Sequence, residues 1–143
     1  MTKILLPVDG SKHAVRAARK LVEVAQQWLE RPEVVPLYVH LPVPRVGGIA
    51  SAVGATALRN YYKEEGEAAL APVERLLEKA GYKVESHIQV GPIAETIVDF
   101  SKRNRCDMIC VGTRGMTAAA NLVMGSVATK VLHLAEVPVL VVK

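Results

Sequence analysis

Cys106-Asp107-Met108-Ile109-Cys110-Val111-Gly112-Thr113-Arg114-Gly115 is the stretch that decides the fold. From Cys106 to Val111 the run is almost wholly apolar, which predicts a strand covered on both faces. It stops on a glycine stretch, and nine residues after Gly115 the chain reads Gly125-Ser126-Val127. Residues 121–134 then carry helical spacing, so the unit is strand, glycine loop, helix. Glycine lets a backbone approach an anion closely. A helix N-terminus beyond it offers N–H groups and the positive end of a dipole. The spacing G-x-x-G-x9-G-S therefore points to a held phosphate and names no side-chain catalyst.

The same alternation extends to both ends of the chain. Residues 3–8 form a short apolar run closed by Asp9-Gly10, a strand and turn. Ser11 is an N-cap for a helix expected over 12–30, with Ala14, Ala17, Ala18, Leu21, Val24, Ala25 and Trp28 on one face. Residues 34–40 are a second strand. Pro and Gly then fill 41–48, and a long loop to about Gly54 is expected. Helical period returns over 56–80, where Pro72 is expected to kink or split the helix and Gly81 suits its C′ position. A third strand is expected over 82–90, a helix from Gly91-Pro92, and a fifth strand over 137–142. The order βαβαβαβαβ predicts an α/β fold, a doubly wound parallel sheet with helices on both faces. No repeat or boundary interrupts it, so 1–143 reads as a single domain.

Composition agrees. The chain has 143 residues, half of them apolar, with one Phe and one Trp, so its core is aliphatic and disorder is not expected. The net charge of +4 is scattered. A nucleic-acid binder shows a basic stripe with exposed aromatics, so none is expected here. Cys106 and Cys110, if on one strand, are about 13 Å apart, too far for a disulfide. They read as reduced core thiols of a cytoplasmic protein. No apolar run nears membrane-spanning length.

Function is expected at the carboxyl ends of the strands, where strand order reverses. Two polar exits stand out: Asp9-Gly10-Ser11 and Gly112-Thr113-Arg114-Gly115. If the first and fourth strands are neighbours, both face one crevice. Asp9 then accepts hydrogen bonds from a ribose or base, and the glycine stretch with Ser126 holds phosphates. Asp9 also has a plain reading as a turn cap, and Gly125-Ser126 as a close-packing device. His40, at a strand exit, lies near the expected base. There is no G-x-x-x-x-G-K-[ST] motif, so P-loop hydrolysis is not expected. A dehydrogenase carries its glycines after the first strand, a receiver domain needs an acid where Val90-Gly91-Pro92 stands, and a flavodoxin needs a Ser/Thr-rich first loop.

Gly112, Gly115, Gly125 and Ser126 together resemble the signature of the universal stress proteins in their ATP-binding branch. The resemblance covers the chain from Ile4-Leu5-Leu6-Pro7-Val8-Asp9-Gly10-Ser11 to Val137-Pro138-Val139-Leu140-Val141-Val142. It implies a Rossmann-like sheet of order 3-2-1-4-5. It implies Pro7, Asp9 and Val39 around adenine and ribose, with Gly112, Thr113, Arg114 and Gly115 as the phosphate loop. Gly125, Ser126 and Val127 would close that loop. It further implies ATP, or ADP or AMP, with Mg²⁺ held through phosphates and water. The spacer 116–124 has no Lys or Arg, and position 128 is Ala, which removes phosphate contacts found in some relatives. The last strand, apolar and at a sheet edge, is expected to pair with a second copy as a homodimer. A regulator or sensor with at most slow ATP hydrolysis, and an unknown protein partner, is the leading reading. The alternatives are a dimeric interaction module that binds no nucleotide and a slow nucleotide hydrolase.

Overall fold

A computed structural model describes residues 1–44, 49–114 and 124–143, with 49–53 as backbone only. Five strands, β1 (Lys3–Val8), β2 (Glu33–His40), β3 (His87–Val90), β4 (Met108–Gly112) and β5 (Val139–Val142), form one parallel sheet. Its order is β3-β2-β1-β4-β5. Four helices alternate with them: α1 (Lys12–Ala25), α2 (Ile49–Lys79), α3 (Ile93–Arg103) and α4 (Ser126–Leu134).

The pleat of β1 explains its continuous apolar run. Ile4, Leu6 and Val8 pack with α1 and α2, while Leu5 packs with α3 and α4 on the other face. Ile4, Leu5 and Leu6 are fully buried, each a contribution of about 1.5–3 kcal/mol. Cys110 and Ile109 divide between the same two layers. Both cysteines are free and buried.

Several boundaries differ from expectation, because periodicity reports burial and not hydrogen bonding. α1 stops at Ala25, five residues early; Gln27 and Trp28 then donate three residues back, to Val24 and Ala25. That tightened turn still delivers Trp28 to the core, so the apolar period outlasts the helix. The expected loop reaches only part of its length: α2 begins at Ile49, and residues 45–48 lie outside the described residues. The interruption of α2 is at Gly54 (φ 76°, ψ 161°), not at Pro72. Pro72 leaves the carbonyl of Ala68 without its helical donor, but Ala68 is exposed, so that carbonyl is not forced to go unsatisfied in the core. α2 ends as foreseen on Gly81 (φ 87°), with Gly81 N–H donating to Glu78 and Tyr82 N–H to Leu77.

β3 is four residues, not nine. Tyr82 is buried and Val84 half-buried, yet pairing with β2 begins only at Leu37 with His87, just past Pro36, which has no N–H to give. β4 starts at Met108, leaving Cys106 before it. β5 starts at Val139, because Pro138 cannot donate to a ladder, although its carbonyl accepts from Ile109 N–H at 3.0 Å. α4 starts at Ser126, not at 121. Residues 121–123 lie outside the described residues. No described helix is long and apolar enough to cross a membrane.

Candidate functional site

β1 lies between β2 and β4, so the sheet reverses its winding between β1 and β4. Pairing of Val8 with Tyr38 sets Asp9 level with Val39, and the β1–β4 register carried forward sets Val8 beside Gly112. Pro7, Asp9, Val39, Gly112, Thr113 and Arg114 therefore end three adjacent strands at one edge.

At the β1 exit, Asp9 Oδ1 accepts from Ser11 N–H (2.9 Å) and from Ser11 Oγ (2.6 Å). Ser11 Oγ in turn accepts from Ala14 N–H at 3.3 Å as the N-cap of α1. Asp9 thus shapes the turn, and Ser11 does the capping. Gly10 is required here: its φ is +84°, and an added Cβ would stand 3.3 Å from Ala69 Cβ on α2. Pro7 is half-buried. The Val39 side chain is buried in the α3/α4 layer, so its outward face toward the edge is main chain.

At the β4 exit, the buried Thr113 makes two main-chain bonds. Its N–H donates to Val142 at the end of β5 (2.9 Å), and its carbonyl accepts from Gly125 N–H (2.5 Å). One residue therefore ties the end of β5 to the start of α4. Gly112 has no left-handed φ, and an added Cβ would meet Arg114 O and His13 O at 3.6 Å and Ala17 Cβ at 3.7 Å, ordinary contacts. The fold does not demand glycine there. Gly125 (φ −73°, ψ 163°) also holds a conformation open to any residue. It is the N-cap of α4, with no side-chain cap bond and no acidic residue in the first turn. Ser126 and Val127 follow, both exposed. A helix start without a side-chain cap presents N–H groups to whatever lies beyond it. Arg114 is exposed and forms no ion pair among the described residues. Gly115 and most of the spacer, 116–123, lie outside the described residues.

The β2 exit carries His40, singled out in the sequence, but within a cluster of rings that the sequence did not reveal. The His40 ring meets those of Tyr38, Tyr61 and Tyr62 at centroid distances of 5.9, 5.5 and 5.1 Å, with tilted planes. Its Nδ1 is 2.5 Å from Leu41 O. Tyr62 OH accepts from Val43 N–H at 2.8 Å, pinning the connection into α2. Burial, then the charges of Glu65, Tyr61 and Asp9, push the Tyr38 phenol above its ordinary range. No group of three or more His, Cys, Asp or Glu placed for a metal occurs among the described residues.

These features define an α/β doubly wound protein whose switch-point edge is lined by glycine and by a helix start that has no side-chain cap among the described residues. The chain belongs to the universal stress protein family, whose model matches residues 1–143. It is similar to the universal stress protein MJ0531 of Methanocaldococcus jannaschii, 37% identical over 99% of this chain and 81% of that protein. The solved structure of MJ0577, from the same organism, is 30% identical with a TM-score of 0.80, covering 99% of this chain and 95% of that one. A universal stress protein from Archaeoglobus fulgidus, solved in complex with dAMP, is 25% identical with a TM-score of 0.66, covering 100% and 98%.

Proposed function

We propose that residues 1–143 act as one domain that binds an adenine nucleotide, ATP foremost and ADP or AMP as alternates, at the β1/β4 edge. The carrying observation is that Gly112 and Gly125 are glycines the backbone does not need, set beside an α4 start with no side-chain cap. A bare Cα and open N–H groups serve a close-approaching phosphate. Gly112, Thr113, Arg114, Gly115, Gly125, Ser126 and Val127 surround the phosphates in this reading. Pro7, Asp9 and Val39 face the base and ribose. The dAMP held by the Archaeoglobus fulgidus relative supports the adenine assignment. Mg²⁺ accompanies the phosphates through water, in keeping with its need for few protein ligands. In this reading the protein is a nucleotide-binding regulator or sensor of the cytoplasm, with at most slow ATP hydrolysis and no catalytic residue assigned.

A second copy pairs on β5 in the same proposal. Pro138 O and Val142 O accept from β4, so by strand alternation the N–H and C=O groups of Val139 and Val141 face outward. The test of nucleotide binding is calorimetry with ATP, ADP and AMP on nucleotide-free protein. One site per chain with micromolar affinity is expected, roughly −8 kcal/mol. No heat with any of the three overturns the reading.

A further inference from the structure

The pole opposite the crevice, where α1 and α2 both end, carries a recess of about 200 Å³. Val22 and Ala25 of α1, Trp28 of the following turn, and Ala80 and Tyr82 beyond α2 form its apolar and aromatic side, and the exposed Gln26 and Arg31 make the rest of it polar. Arg31 is its only cation among the described residues. The guanidinium is fixed twice: Nη1 donates to Gly81 O at 3.0 Å, and the group lies 4.9 Å from the Tyr82 ring centroid. An added Cβ on Gly81 would stand 2.9 Å from Nη1, so the glycine that ends α2 also seats the arginine.

Arg31 has no carboxylate partner among the described residues, as is true of Arg16, Arg19 and Arg114 too; what sets it apart is that its guanidinium is held in place. Its one protein acceptor is a neutral carbonyl, and a guanidinium carries five N–H donors. A held guanidinium with donors to spare, exposed at the mouth of a recess that has Trp28, Val22 and Ala25 on one side, suits a carboxylate with an apolar body. We propose that this recess binds a small organic carboxylate, its charged end on Arg31 and its compact hydrocarbon body against Trp28, Val22 and Ala25. The volume suits that class, since about 150 Å³ accommodates a benzene ring. The site is separate from the crevice and does not depend on nucleotide binding there.

Trp28 is the chain's single tryptophan, so its fluorescence reports occupancy directly. The probes are cyclohexanecarboxylate and its uncharged analogue cyclohexylmethanol. The acid should give a saturable change with Kd on the order of 1 mM, in line with about nine heavy atoms. The alcohol should bind at least about tenfold more weakly, because it forfeits the charge-assisted bonds. Arg31→Met should weaken the acid by at least about tenfold with an unchanged far-UV circular dichroism spectrum. A response that stays linear to about 20 mM, equal affinity for the alcohol, or unchanged affinity in Arg31→Met overturns the proposal. Should Arg31→Met fold poorly, the acid-against-alcohol comparison on the native chain decides alone.

Discussion

Gly112→Ala should separate the needs of the ligand from the needs of the fold. The new methyl would meet two carbonyl oxygens at 3.6 Å and Ala17 Cβ at 3.7 Å, so nothing has to move. Glycine in a strand is worse than alanine by about 0.5–1 kcal/mol, so the variant should be as stable as the native chain or slightly more so. A phosphate bound as proposed would, in contrast, lose its close approach to the backbone. One forfeited hydrogen bond to a charged group costs about 1.5–3 kcal/mol, roughly tenfold to a hundredfold in Kd. Equilibrium dialysis with labelled ATP gives the affinity, and urea denaturation gives the stability. An affinity within about twofold of native would refute the reasoning. So would a stability loss above about 1 kcal/mol, because it would show that the fold needs this glycine after all.

The other glycine exit should behave in the opposite way. Gly10→Ala places a side chain at φ +84° and 3.3 Å from Ala69 Cβ, and should cost about 1–2 kcal/mol in urea denaturation. Val141→Pro should dissociate the proposed dimer in analytical ultracentrifugation while leaving the β4–β5 ladder, because it removes an outward N–H. Lysine at Val139 or Val141 is the wrong probe, since both side chains pack in the α3/α4 layer. A Val141→Pro protein that remains dimeric places the interface elsewhere. Burial pushes the Cys110 thiol from 9.0 up to about 12. The folded value lies above the unfolded one, so this stabilisation is intact below about pH 9 and declines as pH rises toward 12. Urea midpoints should fall across that window more steeply for the native chain than for Cys110→Ala; equal slopes would remove Cys110 from the account.

The sequence made the layers and strand succession legible because β1 and β4 are apolar on both faces, which in a domain of this size requires helices above and below. Edges of elements were not legible, and the reason is the same each time. Trp28 continues the apolar period of α1 through a turn that is no longer helical. Tyr82 is buried without pairing, so the third strand looked twice as long as its ladder. Pro72 is tolerated because the carbonyl it orphans belongs to an exposed residue, a property of the solvent side that no propensity encodes. At the site, the spacing of Gly112, Gly125 and Ser126 was readable, since only residue type mattered. The part played by Thr113 was not, because it works through its N–H and carbonyl, which every residue except proline also has. The Tyr62 hydroxyl and the seat of Arg31 on Gly81 depend on contacts 19 and 50 residues apart, beyond any local pattern.

The central claim is that an adenine nucleotide sits at the β1/β4 edge against the start of α4. Amide chemical-shift mapping of the isotope-labelled protein during an ATP titration tests it most directly. The largest shifts are expected at Asp9, Gly112, Thr113, Gly125, Ser126 and Val127, saturating with one nucleotide per chain. Shifts that saturate elsewhere while these amides stay still would contradict the account, and so would a spectrum that ATP leaves unchanged.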